Sequence, residues 1–137
     1  MNSSYTAFVS LIGRLLLAYM FIPAGYGKLA NIEGTAGYIA SSGLPMGSAL
    51  AVLAGLLELL GGLALVLGWQ VRWAGLALAL FTLIASFFFH TFWSVPAEQQ
   101  MVQQLMFMKN LSVTGGLLLI SALGAGPLSL DARRQRA

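Results

Sequence analysis

A chain of 137 residues that is 58% hydrophobic and only 8% charged lies far from the composition of a soluble domain. It has no cysteine and a single histidine. That excludes disulfides, thiol redox chemistry, iron–sulfur ligation, a bis-histidine haem site and a multi-histidine zinc site as intrinsic properties, and no metal site is expected. The net charge of +3, with Arg133, Arg134 and Arg136 gathered in the tail, is not the footprint of a nucleic-acid binder.

A membrane-spanning helix needs about 20 mostly apolar residues. Four segments qualify, at 5–29, 47–68, 72–93 and 101–123. The first has no basic leader, contains Arg14 and runs into further spans, so it reads as a retained helix and not a signal peptide. Pro23 removes a backbone donor inside it and predicts a kink in its outer third. In the following loop, residues 35–41 predict a short helix on the bilayer surface, with Gly43 as C-cap and Pro45 as a stop.

The second and third spans are joined by a tight turn at 68–72. Trp69, Trp73 and Trp93 fall at span ends, where amphipathic aromatics anchor. Arg72 and the arginine-rich tail lie on one side, so the positive-inside rule predicts both termini in the cytoplasm. Residues 131–137 read as a solvated basic tail. The expected fold is all-α: an integral membrane four-helix bundle over residues 1–130, with a short surface helix in the first outer loop.

Residues three and four apart share a helix face. Arg14, Ala18, Phe21, Gly25 and Lys28 form one stripe, and Ala51, Gly55, Glu58 and Gly62 a second. Thr82, Ser86, His90 and Trp93 form a third, and Leu105, Lys109, Ser112 and Gly116 a fourth. Small residues let helices approach in lipid and polar ones bond across the interface, so these stripes predict the inward faces.

Glu58 has no charged neighbour between Met46 and Trp69. An intramembrane charge costs about 2.5–3.5 kcal/mol on insertion scales and usually pairs or serves a function. Counting rise along each span places Arg14 near the same depth and predicts an Arg14–Glu58 ion pair. His90 and Lys109 fall in the outer halves of their spans. If both face inward they meet above Glu58, with Trp93 as a lid. The bland alternatives are a packing-only ion pair, a Lys109 that snorkels to the surface and a merely interfacial His90.

The pattern as a whole resembles the DoxX family of small bacterial inner-membrane proteins. The resemblance is carried by Arg14-Leu15-Leu16, Ala24-Gly25-Tyr26-Gly27-Lys28-Leu29, Gly43-Leu44-Pro45 and Leu57-Glu58-Leu59-Leu60-Gly61-Gly62. It continues through Phe89-His90 and Phe107-Met108-Lys109-Asn110-Leu111 into Gly115-Gly116-Leu117. Order and spacing carry it more than any single motif, and Pro23 departs from the pattern. The nearest subgroup is the one described as quinol oxidase subunits. The resemblance implies a four-helix membrane bundle in an inner membrane, associated with quinone-linked or oxidative-stress assemblies.

Three functions remain open on this reading. In the first, Lys109, His90 and Asn110 donate to a quinone carbonyl, Glu58 relays a proton and a partner protein handles electrons. The second is a membrane scaffold whose basic tail binds anionic lipid or an acidic partner. The third is a small proton or solute permease, which four spans without an inverted repeat favour less unless the chain forms an oligomer. Quinone is the one cofactor this reading suggests, and it is not intrinsic to the chain.

Overall fold

The computed structural model describes residues 3–135, all helix, turn and loop, with no strand among them. The helices are α1 (Ser3–Ala30), α2 (Ile32–Ser41), α3 (Gly47–Leu67), α4 (Val71–Phe89), α5 (Ala97–Leu123) and a short α6 (Leu130–Arg134). The long helices α1, α3, α4 and α5 are each long and apolar enough to cross a membrane. A helix satisfies its own backbone groups, which hydrocarbon cannot do.

The ends of the elements follow polarity. α5 begins at Ala97, four residues before the apolar run, because Glu98, Gln99 and Gln100 form an exposed first turn that needs no hydrocarbon. α4 stops at Phe89, earlier than hydropathy alone suggests, and His90 caps it in a non-helical conformation. α2 starts three residues before the predicted surface helix, because the Asn31 side chain accepts a bond from the Gly34 N–H at 3.0 Å. It ends before Gly43 and Pro45, as expected. α1 runs unbroken through Pro23, which lies on an exposed face with Tyr19 and Tyr26.

α1 packs antiparallel on α3, and α4 on α5. The two pairs meet through α3 and α4 and only thinly through α1 and α5. α1 and α3 touch backbone to backbone at Gly25, where an added Cβ would lie 2.7 Å from the Gly55 carbonyl oxygen and closer still to the Leu59 nitrogen. Gly68 closes α3 in the left-handed region, at φ +68°, and turns the chain into α4.

We call the end where α1 begins and α6 lies proximal, and the other end distal. The apolar core sits toward the proximal end: Ala18, Phe21, Leu65, Val71, Leu78, Ala79, Leu117 and Ala125 form one buried cluster. In the distal half the buried side chains are largely polar: Glu58, Thr82, Ser86 and Asn110.

The tail departs from expectation. Residues 130–134 form α6, and Asp131 bonds to the start of α4, accepting from the Gln70 N–H at 2.8 Å and the Val71 N–H at 3.0 Å. A carboxylate on the orphan donors of a helix N-terminus is a stabilising cap, which explains why this segment docks. Arg136 and Ala137 lie outside the described residues.

Gly25→Val is expected to destabilise the protein by about 1–3 kcal/mol through overpacking. Gly115→Ala, whose added methyl meets nothing within 4 Å, should leave stability unchanged or slightly higher. Thermal unfolding in detergent micelles compares the two.

Candidate functional site

The sequence stripes of three helices face inward. Arg14, Ala18, Phe21 and Gly25 of α1 are buried, as are Ala51, Gly55, Glu58 and Gly62 of α3 and Thr82 and Ser86 of α4. The fourth stripe is displaced. On α5 the buried residues are Asn110, Thr114 and Leu117, while Leu105, Lys109 and Ser112 are exposed. Ser112 was a misleading cue: its hydroxyl donates to its own helix, to the Met108 carbonyl at 3.1 Å, and needs no partner across the bundle.

Arg14 and Glu58 do not pair. Glu58 is bridged by Lys28, with Nζ 2.6 Å from Oε2. The reason is geometric. α1 begins well before the level at which α3 ends, so counting from span starts sets Arg14 too deep. Helical side chains lean toward their own N-terminus. In an antiparallel pair, Lys28 leans down α1 while Glu58 leans up α3, and they meet just beyond the Gly25 contact.

Arg14 instead leans toward the proximal end. It donates from Nη1 to the carbonyls of Leu65 at 2.8 Å and Val66 at 3.1 Å, and from Nη2 to the Leu128 carbonyl. These include carbonyls from the last turn of α3, where a cation also complements the helix dipole. Arg72 repeats the device on α5, donating to the carbonyls of Ser121 at 3.1 Å and Ala122.

The distal half holds a half-open cavity of about 690 Å³. Lys28, Glu58, Thr82, His90, Lys109 and Asn110 line it, with apolar walls from α1, α3 and α4 and a cover from α2. His90 Nδ1 is engaged by Gln103 Oε1 at 2.9 Å, which holds the ring and leaves Nε2 free. Lys109 Nζ has only the Met106 sulfur, at 3.5 Å. Thr82 is 3% exposed and its hydroxyl has no hydrogen-bond partner. Asn110 is likewise buried and its amide forms no side-chain bond.

Trp93 is not a lid. It lies outside the cavity lining, in an aromatic cluster with Phe87, Phe92 and Phe107 at centroid distances of 6.2, 5.1 and 5.8 Å. The early end of α4 carries it away from the third stripe. Lys28 and Tyr38 are among the lining residues that sequence reasoning did not assign to the site. The signal for Lys28 was present, since it shares a face with Gly25, but the register between α1 and α3 was not.

The fold and the cavity define a multi-pass membrane protein whose distal half holds a largely apolar cavity with a few polar groups. Comparison with known proteins agrees. The DoxX family profile matches residues 9–91. The inner membrane protein YqjF of Escherichia coli is 40% identical over 121 residues, covering 88% of each chain. The inner membrane protein YphA of the same organism is 32% identical over 123 residues, covering 90% of this chain and 88% of that one. A Surfeit locus protein 4 homolog of Drosophila melanogaster is 30% identical over 131 residues, which are 94% of this chain but 42% of that protein. No solved structure matches. The chain is an integral inner-membrane protein of the DoxX family.

Lys28→Met strands a buried carboxylate and is expected to cost about 2 kcal/mol, below the about 3–5 kcal/mol of a fully buried pair because Lys28 is partly exposed. Lys28→Met with Glu58→Gln should recover most of that stability. Arg14→Gln should also destabilise, by about 2 kcal/mol or more, and Glu58→Gln should not rescue it. Thermal unfolding of these four variants separates the ion pair found here from the one the sequence suggested.

Proposed function

We propose that the distal cavity holds the head group of a lipophilic carbonyl compound, with quinone as the best fit, and that the protein is a quinone-linked subunit of a membrane redox assembly. The observation that carries this reading is the convergence of unengaged polar groups in one apolar chamber. Lys109 Nζ has only a sulfur contact, His90 Nε2 and the Asn110 amide have no side-chain partner, and the Thr82 hydroxyl is buried without one. A chamber of this size, with apolar walls and few polar groups, is typical of small-molecule sites of about 300–1,000 Å³.

The charges suit the chemistry. Lys28 and Lys109 oppose one carboxylate, Glu58, so the chamber favours an electron-rich oxygen. Lys109, Asn110 and Thr82 can donate to a carbonyl oxygen, while His90, whose Nδ1–H donates to Gln103 Oε1, presents Nε2 as an acceptor. Glu58 can accept a proton from a quinol hydroxyl, releasing Lys28 to follow the charge. Oxidation of a quinol yields two electrons and two protons; Glu58 takes one proton and Nε2 of His90 the other. The chain has no cysteine and one histidine with which to build an electron centre, so the electrons are assigned to a partner protein. This reading places the chain with the quinol oxidase subunit-like members of the family.

Arg72, Arg133 and Arg134 gather at the proximal end, which supports a cytoplasmic location for both termini. The alternative of a scaffold with a free docking tail is less well supported, because Asp131 ties the tail to the protein's own α4.

Mass spectrometry of molecules retained in nanodiscs tests the proposal. Wild-type protein is expected to carry quinone near stoichiometry. Lys109→Ala should carry about tenfold less, the equivalent of about 1.4 kcal/mol. Quinone at background in both proteins would overturn the reading.

A further inference from the structure

The chamber has a side as well as an interior. At the proximal end α3 and α4 are held together, with Leu78 of α4 packed against Gly61 of α3. Toward the distal end both helices line the chamber. Leu53 of α3 is 63% exposed, and Ile84 and Phe88 of α4 are 57% and 46% exposed, yet all three line the chamber. In a membrane, these positions within spanning helices face hydrocarbon and not water.

The aqueous end is covered differently. α2 lies over it, contributing Thr35, Tyr38 and Ile39 to the lining. The Tyr38 ring stacks on Phe89 at a centroid distance of 5.2 Å, beside His90. Ile39 is buried beneath the helix. A solute arriving from water would have to displace this cover. A molecule dissolved in the bilayer meets only apolar side chains at the α3/α4 flank.

We infer that the cleft between α3 and α4 is a lateral doorway, through which the chamber takes a single-headed, long-chain amphiphile directly from the bilayer. The head lies against Glu58, Thr82 and Asn110, and the chain leaves between Leu53 on one side and Ile84 and Phe88 on the other. This rests on the reading of the chamber as a lipophile site and adds the route and the class of ligand. The unpartnered Thr82 hydroxyl, buried and lining the same space, points to a polar head at the inner end of the path. The volume points to a chain outside: about 690 Å³ accommodates a head group and the first part of a tail, and the rest stays in hydrocarbon at no desolvation cost.

The experiment uses the full chain in nanodiscs and two probes, a long-chain benzoquinone and its tail-less head group. Binding rates are measured for wild type, for Ile84→Trp at the doorway and for Leu80→Trp. Leu80 is equally exposed on α4, at 53%, but lies outside the chamber lining. Ile84→Trp is expected to slow association of the long-chain quinone by about tenfold or more. It should leave the tail-less probe near its wild-type rate, and Leu80→Trp should affect neither. Wild-type binding of both probes with Ile84→Trp indistinguishable from Leu80→Trp would overturn the doorway and leave the lipophile site standing. Equal slowing of both probes by Ile84→Trp would also overturn it. Binding of neither probe to wild type would overturn the site itself, and the doorway with it.

Discussion

A carboxylate inside a membrane helix has to be answered, and in this protein Lys28 answers Glu58. The pair is possible only because α1 and α3 run antiparallel at backbone contact, with Gly25 lying against Gly55 and Leu59. Any larger residue at Gly25 would push the helices apart and lengthen the bridge. The pair in turn fixes what the rest of α1 can do. With Lys28 committed at the distal end, Arg14 lies a full three turns or more away, level with the last turn of α3, where free carbonyls wait for a donor.

The two halves of the bundle follow from this division. Proximally, charges are spent on backbone: Arg14 on the end of α3, Arg72 on the end of α5, and Asp131 on the start of α4. Side chains between them are apolar and close-packed. Distally, charges and amides face one another across a space that the side chains do not fill. A buried polar group without a partner costs stability, since it loses its hydration for nothing. Thr82 bears that cost, its hydroxyl buried without a partner.

Much of this was legible in the sequence, for identifiable reasons. Hydropathy and length give the four spans, because lipid leaves the backbone no other choice. Small and polar residues at helical spacing give the inward faces of α1, α3 and α4. Gly116 of the α5 stripe does lie against Leu17 of α1, but the face was misread because Ser112, which bonds to its own helix, imitates an interface residue. The partner of Glu58 was misread because depth depends on how far α1 extends past α3, and apolar length does not report that. Trp93 was misplaced because α4 ends at Phe89, a boundary set by His90 and the following turn and not by hydropathy. His90, Lys109 and Asn110 were recognisable as residue types out of place in lipid. That they share one chamber with Lys28 required the fold.

The central claim is that the helices close on an apolar core in the proximal half of the bundle and leave a cavity between them in the distal half, and the absence of cysteine makes it directly measurable. Single cysteines would be introduced at Thr82 and Asn110, which line the chamber, and at Leu65 and Leu78, which are fully buried in the proximal core. Each would be treated with a small lipophilic maleimide in nanodiscs. The account predicts rapid labelling at Thr82→Cys and Asn110→Cys and protection at Leu65→Cys and Leu78→Cys until the protein unfolds. Equal protection at all four positions would mean that the distal half is as closely packed as the proximal one, and would contradict the account.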